Sequence, residues 1–208
     1  MDRLGVYGGT FDPVHLGHLA VARSVRDAYD LSRFLFIPAR QSPLRDSPRA
    51  SAPDRLAMVR RAIEGIPGFE ASAIDIERPG PSYMVDTLRG LAVRHPGADL
   101  FLVLGADALG ELPAWREADR ILAAAQIIAV PRPGHTAEIP PEVLALHPKA
   151  DRRIHRHRMP PVDIAASRIR ASRAEGRAID ACVPPAVAEY IVARRLYSSG
   201  GPDGSGAI

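Results

Sequence analysis

The sequence predicts an α/β protein with a doubly wound parallel sheet, and two observations support this class. Strand-like and helix-like segments alternate along the chain as far as Val130. The strand candidates are short and apolar throughout, as in FLFIP at 34–38 and LFLVL at 100–104. Such strands are buried on both faces, which is typical of a parallel sheet covered by helices on either side. In these sheets ligands bind beyond the carboxyl ends of the strands, where the strand order reverses.

Apolar runs indicate the strands, and helical periodicity indicates the helices. The predicted strands are Leu4–Tyr7, Phe34–Pro38, Phe69–Glu77 (as one strand or two short ones), Leu100–Leu104, Gln126–Val130 and Arg152–Arg158. The predicted helices are Gly17–Tyr29, Pro53–Glu64, Ser82–His95, Pro113–Ala124, Ser167–Glu175 and Pro185–Leu196. Ser82 is a candidate cap for its helix, because a serine hydroxyl can accept a hydrogen bond from a free amide of the first turn.

We expect one domain over residues 1–197, because this length fits a single core. After Pro131 the strand–helix alternation gives way to a proline-rich connection, and a small helical extension is expected from about residue 160 to 197. Residues 198–208 are rich in glycine and serine, so we expect them to form a flexible tail.

Composition excludes several classes of protein. No apolar run approaches the roughly 20 residues that would span a bilayer, so no membrane partner is expected. The single cysteine, Cys182, cannot form an internal disulfide, which favours a cytoplasmic location. A net charge of +3 is too small to indicate nucleic acid. The only lysine, Lys149, is followed by Ala150, so the chain has no Walker A loop.

The segment GGTFDPVHLGH, at residues 8–18, carries the strongest chemical signal. Gly8 and Gly9 follow a strand and let the backbone approach a ligand closely. Gly17 opens a helix whose free N–H groups form an anion site. His15 and His18 are three positions apart at this helix start and can face the same side. Glycine amides, a helix N-terminus and two imidazoles together suit a polyphosphate. One alternative is a structural turn with two ordinary histidines. Another is a metal-binding pair, but no third ligand follows at a recognisable spacing.

This segment resembles the signature of the nucleotidyltransferase superfamily with the paired-histidine motif, here His15-Leu16-Gly17-His18. The resemblance implies a Rossmann-like fold, adenylyl or cytidylyl transfer, and histidines that contact the triphosphate. A second resemblance lies in IAASRIR at 164–170, where Ser167 and Arg170 occupy the positions of a phosphate-binding helix N-terminus. Ala165 departs from the family pattern, which usually has serine there.

The resemblance implies three catalytic residues: His15, His18 and Arg170. It also implies a wider set of ATP-binding residues. They are Gly8, Gly9, Thr10, Phe11, His15, His18, Gly105, Asp107, Ser167 and Arg170. No dedicated metal site is expected, and Mg²⁺ is expected to arrive with ATP, held mainly by phosphate and water.

Four further segments resemble those of bacterial nicotinate mononucleotide adenylyltransferases: SYMVDTL at 82–88, LGAD at 104–107, Trp115, and PRPG at 131–134. The resemblance implies a pocket for the acceptor. Its residues are Thr87, Asp107, Trp115 and Arg132, with Arg45 as a further candidate phosphate contact. Core packing for Trp115, a helix cap for Asp107 and a solvated surface for Arg132 remain alternatives.

The expected reaction is adenylyl transfer from ATP to nicotinate mononucleotide, with release of pyrophosphate. Another acceptor, such as nicotinamide mononucleotide or phosphopantetheine, is the nearest alternative, and a non-catalytic nucleotide sensor is a more distant one. A dehydrogenase is disfavoured, because G-x-G-x-x-G is absent from the first strand-to-helix turn. The sequence leaves the oligomeric state open, so a homo-oligomer remains an option.

Overall fold

The computed structural model describes residues 2–44, 46–131, 139–160 and 162–199. Over these residues six strands form one sheet in the order β3-β2-β1-β4-β5-β6, with every neighbouring pair parallel. The strands are β1 Arg3–Gly9, β2 Arg33–Pro38, β3 Phe69–Ala71, β4 Asp99–Gly105, β5 Gln126–Val130 and β6 Ile154–Arg156. The order reverses between β1 and β4. The predicted Rossmann-like parallel sheet is therefore confirmed.

Helices connect the strands and cover both faces of the sheet. They are α1 Leu16–Ala28, α2 Ala52–Ile63, α3 Ile74–Glu77, α4 Met84–Arg94, α5 Ala106–Glu111, α6 Ala118–Ala124, α7 Pro141–Leu144, α8 Ala150–Arg153, α9 Ala166–Ala174 and α10 Pro185–Ala193. A 3₁₀ turn at Leu112–Ala114 follows α5. No helix in the described ranges is long and apolar enough to cross a membrane.

Two hydrophobic clusters lie on opposite faces of the sheet, because side chains alternate along each strand. In β2, Phe34 and Phe36 enter one cluster, whereas Leu35 and Ile37 enter the other. The first cluster packs against α1, α2 and α10, and the second packs against α4 and α6. Both faces of the central strands are thus buried, which explains their uninterrupted apolar sequences.

The predicted strand at 69–77 is wrong in its second half. Strand β3 ends at Ala71, and residues 74–77 form the short helix α3. In α3 the buried carboxylate of Asp75 accepts a hydrogen bond from the hydroxyl of Thr87 at 2.6 Å, so a tertiary contact with α4 accompanies the helical conformation.

Three other boundaries also differ from the prediction. The helix expected at 113–124 is interrupted, because Glu117 has a left-handed backbone with φ of 52° and α6 starts after it. Ser82 does not cap α4: Tyr83 occupies that position, and the Ser82 hydroxyl accepts the Arg40 N–H at 2.9 Å. The last predicted strand is shortened to β6, because its first residues belong to α8.

Candidate active site

The carboxyl ends of β1 and β4 open into a cleft of about 2470 Å³ at the point where the strand order reverses. The loop after β1, the start of α5, the start of α9 and the segment after α10 all line it. The predicted residues that line the cleft are Gly8, Gly9, Thr10, Phe11, His15, His18, Gly105, Asp107, Trp115, Ser167 and Arg170. The topology therefore brings together two motifs that lie far apart in the sequence.

Close packing explains one of the glycines in the first motif, Gly17. A Cβ atom there would lie 3.0 Å from Nδ1 of His15, whereas one at Gly8 would meet only the flexible end of the Met84 side chain, at 2.6 Å. Gly17 therefore lets the His15 imidazole pack against the first turn of α1. The need for glycine at position 17 therefore comes from packing within the protein, whether or not a ligand also approaches it.

The paired histidines form a stacked unit at the start of α1. Their ring centroids are 3.7 Å apart with an interplanar angle of 26°. The backbone N–H of His15 donates to Nδ1 of His18 at 3.2 Å, so a neutral His18 carries its proton on Nε2. Phe11 meets the His18 ring edge-on at 5.0 Å. His15 is buried, and both rings are held in a defined orientation.

Asp12 also lines the cleft, although no sequence pattern singled it out. It is 5% exposed, and its carboxylate accepts hydrogen bonds from the N–H groups of Arg49 at 2.8 Å and Ala50 at 3.0 Å. The hydroxyl of Tyr197 donates to the same carboxylate at 2.7 Å. Burial, followed by the nearby negative charge of Asp12, raises the pKa of the Tyr197 hydroxyl above its ordinary range, so the phenol stays protonated.

Arg170 joins the second motif to the first. Its Nη1 donates to the carbonyl oxygen of Asp12 at 2.7 Å and lies 3.8 Å from the carboxylate oxygen Oδ2. The helix α9 begins at Ala166, and Ala165 at the N-cap offers no side-chain hydrogen bond. The departure from the family pattern thus falls on the capping position, while Ser167 and Arg170 keep their places in the cleft.

Arg55 supports the floor of the first loop and was also missed. Its side chain is 1% exposed and donates to three backbone carbonyls: Thr10 at 2.7 Å, Arg40 at 3.0 Å and Ala50 at 3.2 Å. Burial lowers the pKa of the guanidinium, because charge is costly away from water. A lone arginine in a helix sequence gives no signal of such a role, because its partners are backbone atoms of distant loops.

The predicted acceptor contact Thr87 lies behind the cleft wall. Its side chain is fully buried, and its hydroxyl donates to Asp75 at 2.6 Å, so its place in an acceptor pocket stays a prediction. Asp75 itself lines the cleft, and burial raises the pKa of its carboxyl above the usual range. Arg78 pairs with Asp75 at 3.0 Å.

Trp115 and Asp107 both line the cleft, on the segment that leaves β4. Asp107 lies in the first turn of α5, and Trp115 follows the 3₁₀ turn. The predicted contacts Arg45 and Arg132 lie outside the described residues, so both stay predictions. Among the residues that the structure describes, no group of three or more histidine, cysteine, aspartate or glutamate side chains is arranged to hold a metal ion.

A sequence profile of the cytidylyltransferase-like family matches residues 6–172, a span that includes both motifs. The match covers most of the chain, so the chain belongs to this family and is a nucleotidyltransferase.

Full-length relatives narrow the class further. A "probable nicotinate-nucleotide adenylyltransferase" from Roseiflexus sp. (strain RS-1) is 45% identical over 196 residues, which are 93% of this chain and 97% of that protein. A protein of the same name from Symbiobacterium thermophilum is 39% identical over 208 residues, 99% of this chain and 100% of its own. These relatives identify the chain as a member of the nicotinate-nucleotide adenylyltransferases.

A solved structure shares the fold. The Plasmodium falciparum nicotinic acid mononucleotide adenylyltransferase complexed with NaAD superposes with a TM-score of 0.76. The match covers 95% of this chain and 98% of that one. The sequence identity is 19%, so the comparison shows only that the two proteins share a fold.

Proposed function

We propose that the protein transfers the adenylyl group of ATP to nicotinate mononucleotide, giving nicotinate adenine dinucleotide and pyrophosphate in NAD biosynthesis. One observation supports this most: Arg170 of the second motif donates to the carbonyl oxygen of Asp12 in the first, at 2.7 Å. A guanidinium, two imidazoles and a helix N-terminus around one cleft suit a triphosphate. The acceptor follows from the names of the full-length relatives.

The chain acts on this reaction by positioning and by stabilising charge. The attacking atom is a phosphate oxygen of the mononucleotide, which is ionised at neutral pH and needs no general base. His15 and His18 contact the α- and β-phosphates and stabilise the charge that develops on the departing pyrophosphate. Ser167 and Arg170 hold the distal phosphates, so that the α-phosphate is presented to the acceptor.

The remaining contacts divide between the two halves of the cleft. ATP contacts are assigned to Gly8, Gly9, Thr10, Phe11, Gly105 and Asp107. In the acceptor half, Trp115 offers an aromatic face to the electron-poor pyridine ring. Asp107 also borders the acceptor, and Arg45 and Arg132 are candidates for pairing with its anionic groups.

ATP enters this reaction as its Mg²⁺ complex. Most ligands of the ion in such a complex are phosphate oxygens and water, and the ion adds to the neutralisation of phosphate charge. We place the reaction in the cytoplasm, because the one cysteine of the chain, Cys182, fits a reducing compartment.

The test is steady-state release of pyrophosphate from Mg·ATP, with nicotinate mononucleotide and nicotinamide mononucleotide supplied separately. We expect rapid release with the nicotinate form and little with the nicotinamide form. Equal rates would contradict the assigned acceptor preference, and no release with either acceptor would overturn the proposed function.

Two arginines of α9 provide a matched pair for this assay. Arg170→Ala removes a cleft contact and should lower kcat/KM by about 100-fold, as loss of a preorganised charged donor does. Arg168→Ala removes an exposed guanidinium that does not line the cleft, although its partner Asp163 does, and should leave kcat/KM nearly unchanged.

A further inference from the structure

The chain returns to the cleft after its last helix. Beyond α10, the N–H of Arg195 donates to the carbonyl of Val192 at 3.0 Å, and the N–H of Leu196 donates to Ile191 at 2.9 Å. Arg195 and Tyr197 both have left-handed backbones, with φ of 53° and 59°. Non-glycine residues adopt this conformation only where the surroundings hold them there. The turn delivers the Tyr197 side chain to the wall of the cleft.

The Tyr197 hydroxyl binds the carboxylate that lies beside Arg170. It shares Oδ1 of Asp12 with the N–H of Ala50, and the two bonds measure 2.7 and 3.0 Å. The other oxygen, Oδ2, accepts the N–H of Arg49 and lies 3.8 Å from Nη1 of Arg170. Asp12 thus joins the first motif, the loop before α2, the second motif and the C-terminal segment.

We propose that Tyr197 is a positioning residue for the triphosphate site, acting through Asp12 on Arg170. The inference rests on the proposed function for the role of Arg170. The hydroxyl acts with the N–H groups of Arg49 and Ala50: it takes up part of the negative charge of the carboxylate and helps to keep Oδ2 at its distance from the guanidinium. Arg170 is then held by the carbonyl of Asp12 and keeps its remaining N–H groups for phosphate.

Loss of the hydroxyl removes one of three hydrogen bonds to the carboxylate, so the negative charge of Asp12 would act more strongly on Arg170. A direct ion pair would then compete with the phosphates for the guanidinium, since carboxylate and phosphate accept from the same fork. The affinity for Mg·ATP should therefore fall, by about tenfold if the effect equals one hydrogen bond to a charged group. The acceptor lies in the other half of the cleft, so its KM should change little.

Tyr197→Phe in the full-length chain is the direct test, and Tyr190→Phe is its matched control. Tyr190 also donates its hydroxyl to a buried aspartate, Asp54, at 2.8 Å, and it lies on α10 without lining the cleft. We expect comparable losses of thermal stability in the two variants. Only Tyr197→Phe should weaken binding of Mg·ATP, measured by calorimetry without any acceptor, and raise the KM for ATP in turnover.

Calorimetry separates this proposal from the proposed function, because it needs neither an acceptor nor turnover. Equal affinities for Mg·ATP in the two variants would overturn the role of Tyr197, even if adenylyl transfer is established. If Tyr197→Phe weakens the binding of Mg·ATP as expected, but the parent chain transfers no adenylyl group to nicotinate mononucleotide, only the proposed reaction is contradicted.

A double-mutant cycle measures the energetic coupling between Tyr197 and Arg170 in ATP binding, which would be absent if Tyr197 had a purely structural role. Arg170→Lys should weaken ATP binding in the parent chain, and its effect should be smaller in the Tyr197→Phe background, because the arginine is already misplaced there. In the Tyr190→Phe background the effect of Arg170→Lys should be unchanged. Additive effects in both backgrounds would contradict the coupling through Asp12.

Discussion

Replacement of Arg55 by methionine tests whether this buried arginine supports the loops around the cleft. The change keeps most of the side-chain volume and removes three hydrogen bonds to the carbonyls of Thr10, Arg40 and Ala50. Each bond to a charged group contributes about 1.5–3 kcal/mol. The desolvation of a buried charge opposes them by several kcal/mol. We therefore expect the free energy of unfolding to fall by about 3 kcal/mol, because three carbonyls are left unsatisfied.

At this chain length each kcal/mol shifts the Tm by about 2–4 °C, so a decrease of about 6–12 °C is expected. Urea unfolding followed by circular dichroism measures the free energy, and a thermal scan measures the Tm. Arg60→Met is the matched control: Arg60 is exposed on the same helix, and its loss should change stability by less than about 0.5 kcal/mol. A change within about 1 kcal/mol of the parent for Arg55→Met would refute the reasoning.

Two further predictions concern the site, and a third concerns His157, a buried histidine that does not line the cleft. His18→Ala should lower kcat by about 100-fold with little change in Tm, and an unchanged turnover would exclude its catalytic role. Gly17→Ala should lower kcat/KM for ATP by about tenfold, because the new Cβ would lie 3.0 Å from the His15 ring; parent-like kinetics would show that the ring position is not critical. Burial lowers the pKa of His157, so the folded state disfavours its protonation, and the free energy of unfolding should fall as the pH drops below about 6.5. His157→Asn should flatten this part of the pH profile of stability, and an identical slope would show that His157 does not cause it.

Local signals were sufficient for the architecture and the main motifs. The apolar runs of β2 and β4 predicted buried parallel strands, and both strands are buried on their two faces. The paired-histidine segment and the segment containing Ser167 and Arg170 each have a recognisable local pattern. Their residues could therefore be predicted from the sequence without knowing that they line one cleft. The order of the strands then brought the two patterns to the same edge of the sheet.

The residues that were missed act through partners far away in the chain. Tyr197 and Asp12 are 185 positions apart, and Arg170 and Asp12 are 158 apart. Arg55 binds carbonyl groups, which every residue carries, so no sequence pattern marks it. The hydrogen bond from the Thr87 hydroxyl to Asp75 also joins two different elements, α4 and α3, while the predicted role of Thr87 in the acceptor pocket stays a prediction. Only the three-dimensional structure reveals such pairings.

Isotope labelling of the phosphates of ATP is the most direct test of adenylyl transfer. The protein is incubated with nicotinate mononucleotide and Mg·ATP labelled either at the α- or at the γ-phosphate, and the products are separated by chromatography. Adenylyl transfer predicts that the α-label enters nicotinate adenine dinucleotide and that the γ-label is released in pyrophosphate. An α-label that stays in AMP or ATP, or a γ-label on the mononucleotide, would contradict the central claim.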